Sequence, residues 1–254
     1  MRTHQDSDGE TGNGEEGLRG LLATARAVLF DFDGPICGLF ARNPTAPAAK
    51  EIQELVRAGW GELPPSVGTS QDSHGILRAL RQDMFPEEAP VGRRLATLKQ
   101  AEDVVTQHEW RAVQDADLEP HIKELLSHLA HFGTRMAVVS NNAEAPIRKY
   151  LCGKGLLPYF DAVIGRDEGE LRKMKPNPYG VLRALRSLET APERCLLVGD
   201  QLSDLEAAHA ASVPFLGSTR RPQRRAKMRE LGAEAVVANL APVAACAKSL
   251  AQAG

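Results

Sequence analysis

The sequence has few cysteines, little excess charge and no long apolar segment. Its four cysteines lie far apart in 254 residues and form no C-x-x-C pair, which makes a poor disulfide framework and a poor zinc site. No apolar run approaches the roughly 18 residues that a membrane helix needs. The formal net charge of -2 gives no general attraction to nucleic acid or to an anionic membrane. We therefore expect a cytoplasmic protein with reduced thiols and without nucleic-acid or membrane partners.

Residues 1–17 differ from the rest of the chain in composition. They are rich in Gly, Asp, Glu, Ser and Thr and contain no apolar segment. Such a composition buries too little surface to fold, and it is not that of a secretory signal. We predict a disordered tail over this segment.

Beyond the tail, short apolar runs alternate with helical patterns. The apolar runs are 27–30, 136–139, 162–164, 195–198, 213–216 and, more weakly, 235–238. The helical patterns are 122–132, 147–151, 179–188, 205–211 and 223–231. Apolar runs that stop at Gly or Asp are typical of parallel strands buried on both faces. The alternation predicts an α/β fold with a Rossmann-like, doubly wound parallel sheet.

Residues 37–119 interrupt this alternation. They show helical periodicity at 50–58, 73–84 and 93–116 but no convincing strand. The segment is far longer than the usual βα loop of about 2–6 residues. It predicts an inserted α-helical cap domain over the carboxyl end of the first strand, where open α/β sheets bind ligands. The core domain would then comprise residues 18–36 and 120–254.

Acidic side chains follow two of the predicted strands. Asp31 and Asp33 end the first apolar run, and Asp200 and Asp204 follow the run at 195–198. Asp31 and Asp33 share a face of the strand, where two carboxylates repel each other unless a cation lies between them. A single Asp at a strand end also serves as a helix cap, but capping does not require a pair. Because Mg²⁺ prefers oxygen ligands, the pattern predicts a magnesium site.

Polar groups suited to an anion follow two other strands. Ser140 and Asn141 come directly after the run at 136–139, where a hydroxyl, an amide and backbone N–H groups can hold phosphate oxygens. Lys175 precedes Pro176, which biases the lysine away from helical geometry, so that a stiff loop projects its ammonium group. Taken alone, each also fits a structural role, as a helix cap or a solvated lysine.

Together these segments resemble the four motifs of the haloacid dehalogenase (HAD) superfamily, in its phosphoglycolate phosphatase-like branch with a helical type-1 cap. The matching segments, in order, are Asp31-Phe32-Asp33-Gly34, Ser140-Asn141, Lys175-Pro176, and Gly199-Asp200 with Asp204. The resemblance covers about residues 27–238. One departure is Pro35, where the family commonly has Thr or Val.

The resemblance implies a Mg²⁺-dependent phosphatase that hydrolyses a small organic phosphate monoester through an aspartyl-phosphate intermediate. Asp31 would be the nucleophile, and Asp33 the general acid and then the general base. The implied phosphate-binding residues are Ser140, Asn141 and Lys175. The implied metal ligands are Asp31, the backbone carbonyl of Asp33, and Asp200, with Asp204 in support.

Two alternatives stay open at this point. A sugar phosphomutase of the same superfamily would keep the same residues, and a catalytically idle HAD-like protein could act as a binding or regulatory protein. Trp60, flanked by glycines in the cap, is a candidate substrate contact, and His74 and Arg78 are weaker ones. The basic run at 220–225 is interpreted as charged surface. The expected partner is a small phosphate ester, bound by a monomer or homodimer.

Overall fold

The computed structural model describes residues 9–61, 63, 65–82 and 91–253. The strands are β1 (Ala27–Phe30), β2 (Arg135–Ala143), β3 (Ala162–Arg166), β4 (Cys195–Gly199), β5 (Phe215–Ser218) and β6 (Ala235–Val237). The helices before β2 are α1 (Gly9–Thr24), α2 (Ala46–Trp60), α3 (Pro65–Gly68), α4 (Ser73–Gln82), α5 (Val91–Asp115) and α6 (Ile122–His131). Those after it are α7 (Glu144–Gly153), α8 (Tyr179–Ser187), α9 (Leu202–Ala210), α10 (Pro222–Glu230) and α11 (Ala241–Ala253).

The six strands form one parallel sheet in the order β3-β2-β1-β4-β5-β6. Phe30, the last residue of β1, is level with Val138 on β2 and with Val198 on β4. The carboxyl ends of the three central strands therefore meet at one edge of the sheet. This architecture confirms the predicted α/β fold class with a Rossmann-like, doubly wound sheet.

Helices cover both faces of the sheet, because successive strand residues point to opposite sides. Val28 and Phe30 of β1 pack into a cluster with α1, α6, α7 and α11. Ala27 and Leu29 pack into a second cluster with α8, α9 and α10. Each fully buried Leu or Phe contributes about 1.5–3 kcal/mol of transfer free energy, so both layers anchor β1 at the centre of the core.

The disordered tail predicted for residues 1–17 needs correction. Residues 1–8 lie outside the described part of the chain, but residues 9–17 form the first half of α1. Leu18 and Leu22 on this helix are 4% and 1% exposed and pack in the same cluster as α11. Two buried leucines late in the helix supply the apolar contact that the composition of 1–17 lacks.

Within the described residues, five helices, α2 to α6, lie between β1 and β2, and the first four of them form the insert. Ile52, Val56 and Trp60 recur every four residues along one face of α2 and pack with Leu80 of α4 and Val105 of α5. The predicted helices at 50–58, 73–84 and 93–116 coincide with α2, α4 and α5, except that residues 83–84 lie outside the described residues. This helical insert (α2–α5) has an apolar core of its own, and the boundaries 37 and 119 stay a prediction. Within the described ranges, no helix is both long enough and apolar enough to cross a membrane.

Candidate active site

A cavity of about 630 Å³ lies at the carboxyl edge of the sheet, between the strand ends and the helical insert. The predicted site residues that line it are Asp31, Asp33, Ser140, Asn141, Lys175 and Asp204. Phe40, His74 and Arg78 line it from the side of the insert. Residues far apart in the sequence thus meet in one concave site because the central strands run parallel and point their carboxyl ends towards the same edge of the sheet.

Lys175 lies at the centre of the site and is only 3% exposed. Its Nζ is 2.8 Å from Asp31 Oδ1 and 2.7 Å from Asp204 Oδ1, and it donates to the carbonyl oxygen of Val139 at 2.9 Å. These contacts use all the hydrogens of an ammonium group. Burial alone would lower the pKa of Lys175, but the two carboxylates outweigh it and raise that pKa above its ordinary value. A fixed positive charge therefore lies against Asp31.

The side chain of Asn141 holds the loop that carries Lys175. Asn141 Oδ1 accepts a hydrogen bond from the backbone N–H of Lys175 at 2.7 Å, and Asn141 Nδ2 donates to the carbonyl oxygen of Lys175 at 3.0 Å. Ser140 Oγ donates to Asn142 Oδ1 at 2.9 Å and accepts from the backbone N–H of Asn142 at 3.2 Å. Both side chains thus rigidify the cavity wall, and their contact with phosphate stays a prediction.

Asp31, Asp200 and Asp204 each place one carboxylate oxygen within 4.8 Å of the others. Asp200 Oδ2 accepts hydrogen bonds from Gln201 Nε2 at 3.0 Å and Arg224 NH1 at 2.8 Å, whereas its buried Oδ1 has no partner. Asp204 differs from Asp200 because both of its oxygens are engaged by protein donors. Among the three, Asp200 is the residue with a buried oxygen left for a cation.

Burial makes these carboxylates hard to ionise together. Burial and the negative charge of Asp204 raise the pKa of Asp200 to about 8. Burial raises the pKa of Asp31 to about 7, against the opposing effect of Lys175. It also raises the pKa of Asp33 to about 6, although Asp33 Oδ1 accepts a 2.8 Å hydrogen bond from the backbone N–H of Leu39.

Counting charges tests whether a cation fits. The site holds four carboxyl groups, those of Asp31, Asp33, Asp200 and Asp204. Two cations pair with three of them: Lys175 with Asp31 and Asp204, and Arg224 with Asp200. If all four carboxyl groups are ionised, their charge exceeds that of these two cations by two. The difference of two negative charges equals the charge of one divalent ion, and the uncommitted donor is a hard carboxylate oxygen. The residues therefore fit Mg²⁺.

Gly34 offers a test of this arrangement. Its φ is +107°, and a Cβ there would lie 2.7 Å from Cγ of Asp200. We expect Gly34→Ala to cost about 1–3 kcal/mol in backbone strain and to weaken Mg²⁺ binding by displacing Asp200. Urea unfolding and titration calorimetry with Mg²⁺ measure the two effects.

Gly61→Ala is the matched control for Gly34→Ala. Gly61 also has a positive φ, +92°, but a Cβ there would meet nothing within 4 Å. Gly61→Ala should therefore lower stability through strain without changing Mg²⁺ affinity. Equal Mg²⁺ affinity for both variants would contradict the role given to Gly34.

A buried ionic network that the sequence analysis missed joins the insert to the sheet. Arg166, at the end of β3, lies 2.9 Å from Glu109 Oε1 and 3.3 Å from Glu102 Oε1, both on α5. Its NH1 also donates to the carbonyl oxygen of Asn141 at 2.8 Å, and Glu109 Oε2 accepts from the backbone N–H of Ala143 at 2.9 Å. The available signal was the spacing of Glu102 and Glu109, which places both on one face of α5.

The basic side chains of this network stabilise the negative charge of Glu109. Burial by itself would raise the pKa of Glu109, but Arg166 and His74 outweigh it and hold that pKa at about 2. Glu109 is therefore a carboxylate at any working pH. His74 Nε2 lies 2.8 Å from Glu109 Oε1, which ties α4 to the same network.

The prediction that Trp60 contacts substrate is corrected by its position. Trp60 is 9% exposed, packs with Ile52 and Val56 in the core of the insert, and does not line the cavity. It is one helical turn beyond Val56 on the apolar face of α2, so its ring packs inside the insert. The side chains of α4 that line the cavity are instead His74 and Arg78.

Carboxylates that follow parallel strands and a buried lysine from a neighbouring loop, beneath a helical insert, define an enzyme of the doubly wound α/β class. The family model described as haloacid dehalogenase-like hydrolase matches residues 71–218. The chain belongs to this family, as the sequence motifs predicted.

Individual relatives agree with this assignment. The phosphoglycolate phosphatase of Thiobacillus denitrificans is 31% identical over 86% of this chain and 94% of that protein. The phosphoglycolate phosphatase of Nitrosospira multiformis is 35% identical over 73% of this chain and 79% of that protein. A haloacid dehalogenase-like protein from Agrobacterium tumefaciens shares the fold, with a TM-score of 0.58, 20% identity, and coverage of 89% of this chain and 99% of that one.

Proposed function

We propose that this hydrolase cleaves a small phosphate monoester with Asp31 as the nucleophile and Asp33 as the acid–base group. The observation that carries the proposal is the position of Asp31: it directly follows β1, lines the cavity together with Asp33, and contacts the fixed ammonium of Lys175. The names of the curated relatives support a phosphate monoester as the substrate class. A binding protein without catalysis would need no such acid–base pair.

In the first proposed step, an oxygen of Asp31 forms a bond to phosphorus while the bond to the leaving oxygen breaks. Asp33 gives its proton to that oxygen, so the leaving group departs as an alcohol. Asp31 then carries the phosphoryl group as an aspartyl-phosphate. Dividing hydrolysis into two displacements replaces one difficult step with two easier ones.

In the second step, water attacks the phosphorus and passes a proton to Asp33. The bond between Asp31 and phosphorus breaks, and inorganic phosphate is released. Lys175 faces the reacting atoms with a positive charge, and Asp204 holds Lys175 in place. Because phosphoryl transfer depends mainly on positioning and charge stabilisation, this fixed charge is central to the mechanism.

Mg²⁺ is the proposed cofactor. Asp31, Asp200 and the backbone carbonyl of Asp33 would hold it, with Asp204 in support. When bound, the ion would neutralise charge on the transferring phosphoryl group. The buried, unpartnered Oδ1 of Asp200 supports this assignment.

Phosphate release from a panel of small phosphate esters tests the proposal. We expect release with Mg²⁺, complete loss with excess EDTA, and recovery when Mg²⁺ is added back, because removing the ion leaves carboxylate repulsion uncompensated. An enzyme treated with EDTA and then with Ca²⁺ controls for general effects of chelation. Isomerised sugar phosphate without release would instead support the phosphomutase, and release that is unaffected by EDTA would contradict the magnesium role.

A further inference from the structure

The basic run at 220–225 contributes one of its arginines to the catalytic centre. β5 lies beside β4, with Gly217 level with Gly199, so the loop after β5 reaches Asp200, which directly follows β4. Arg224 lies in the first turn of α10, the helix that this loop leads into. Although the sequence pattern indicates charged surface, the side chain of Arg224 is only 17% exposed and lines the cavity.

Arg224 holds Asp200 at two atoms. Its NH1 donates to the backbone carbonyl oxygen of Asp200 at 3.0 Å and to Oδ2 of the carboxylate at 2.8 Å. Gln201 Nε2 donates to the same Oδ2 at 3.0 Å. A carboxylate oxygen has two lone pairs, so these two donors saturate Oδ2. The oxygen of Asp200 that is left for a cation is then Oδ1.

Oδ1 of Asp200 lies on the side of the proposed magnesium site. It is buried and has no hydrogen-bond partner in the described part of the chain. A Cβ at Gly34 would lie 2.8 Å from this oxygen, so Oδ1 lies against the backbone next to the carbonyl group of Asp33, another proposed ligand. The two oxygens of Asp200 therefore differ: protein donors hold Oδ2, and Oδ1 is left for the ion.

The other carboxylates of the cluster are held in a similar way. Lys175 Nζ is 2.8 Å from Oδ1 of Asp31 and 2.7 Å from Oδ1 of Asp204. With Asp200 paired to Arg224, each of the three clustered carboxylates gives one oxygen to a protein cation. A metal ion that took both oxygens of one carboxylate would have to displace that cation.

Divalent ions differ in how many carboxylate oxygens they use. Mg²⁺ requires octahedral geometry at about 2.0–2.1 Å and keeps several water molecules, so one oxygen from each carboxylate is enough. Ca²⁺ is larger, takes about six to eight oxygens at about 2.3–2.6 Å, and readily binds both oxygens of a carboxylate. A site in which each carboxylate is restricted to one oxygen therefore favours Mg²⁺ over Ca²⁺.

We propose that Arg224 is a metal-selectivity residue, which limits Asp200 to one metal-binding oxygen and so discriminates against Ca²⁺. This inference rests on the magnesium site of the proposed function, but not on hydrolysis or on the identity of the ester. Arg224 is a positioning residue, because it acts on the ion through Asp200. Lys175 restricts Asp31 in the same way, but its proposed part in phosphoryl transfer makes it unsuitable for a test.

Titration calorimetry of the whole protein with Mg²⁺ and with Ca²⁺, in the absence of substrate, tests the proposal. Arg224→Met removes the donor to Asp200 and keeps much of the side-chain volume. Loss of the positive charge should strengthen the binding of both ions to a similar degree, because the two ions carry the same charge. The ratio of the two dissociation constants therefore isolates the geometric effect. We expect the preference for Mg²⁺ over Ca²⁺ to fall at least about 10-fold in Arg224→Met.

Arg225→Met is the matched control. Arg225 is the next residue of α10, but its NH1 donates to the carbonyl oxygen of Thr219, and it does not line the cavity. This control loses the same charge from the same helix without releasing Asp200. Its preference for Mg²⁺ over Ca²⁺ should stay within about 2-fold of the wild-type value.

Infrared difference spectra between the Ca²⁺-loaded and the metal-free protein report the coordination directly. The separation between the antisymmetric and symmetric carboxylate stretches is smaller when a cation binds both oxygens of one carboxylate. We expect this bidentate signal with Ca²⁺ to be stronger in Arg224→Met than in the wild-type protein and in Arg225→Met.

The outcomes separate this proposal from the proposed function. An unchanged ratio in Arg224→Met, with the fold intact by circular dichroism, would overturn the selectivity role and leave the proposed function standing. An equal fall in Arg225→Met would also overturn it, since it would show a general effect of charge on α10. If the ratio falls as expected while no ester is hydrolysed, the proposed function alone is wrong. If the wild-type protein binds neither ion, the magnesium site and the selectivity role are both wrong.

Discussion

Replacing Asp31 with asparagine is expected to reduce phosphate release by about 10⁴-fold or more. The amide is close in shape to the carboxylate but has no anionic oxygen to attack phosphorus, so the covalent step is lost. Steady-state release of inorganic phosphate with saturating Mg²⁺ measures the effect. Acid quenching during turnover should also trap an acyl phosphate on the wild-type protein and none on Asp31→Asn.

Asp117→Asn is the matched control for the loss of a carboxylate. Asp117 is largely exposed and pairs with Arg42 at the surface. Exposed pairs of this kind contribute about 0–1 kcal/mol, so both activity and stability should be nearly unchanged. A residual rate for Asp31→Asn within 10-fold of the wild type would assign the nucleophile to another residue.

Replacing Arg166 with methionine is expected to destabilise the protein by about 3–5 kcal/mol, the usual cost of breaking a buried ion pair. The change leaves Glu109, which is fully buried, without its arginine partner, and it removes the donor to the carbonyl oxygen of Asn141. Methionine keeps much of the side-chain volume, so a large cavity does not account for the loss. Urea unfolding followed by circular dichroism measures the change in the free energy of unfolding.

Two comparison variants test whether the loss of stability in Arg166→Met comes from the unpaired buried charge. In Glu109→Gln/Arg166→Met no unpaired charge is left at Glu109, so the double variant should be more stable than Arg166→Met alone. Arg183→Met breaks a partly exposed pair with Asp167 and should cost no more than about 1 kcal/mol. If Arg166→Met and Arg183→Met lost equal stability, the buried network would not hold the insert in the way described.

Local patterns predicted most of the elements because burial of a parallel strand leaves a clear apolar run. β1 coincides with the predicted run at 27–30. β5 begins at Phe215 rather than at 213, since Pro214 has no N–H for the sheet. α11 was missed because its buried face consists largely of alanines, such as Ala244 and Ala247, which give weak periodicity.

The candidate site was predictable where its residues directly follow a strand or precede a proline. Asp31 and Lys175 carry local signals and meet in the cavity. Glu109 and Arg166 could not be paired in advance, since 57 residues separate them and only the fold brings them together. The cytoplasmic location, the monomeric or dimeric state and the absence of nucleic-acid binding are still predictions from the sequence.

The ionic network between α5 and β3 has a consequence for how this molecule can be recombined with its relatives. Family members share the sheet, so exchanging their inserts is an obvious route to chimeric enzymes. Here the insert supplies Glu102 and Glu109, and the core supplies Arg166. A chimera whose insert had apolar residues at those two α5 positions would leave Arg166 buried without a counter-ion. A functional chimera therefore has to exchange the insert and the end of β3 together.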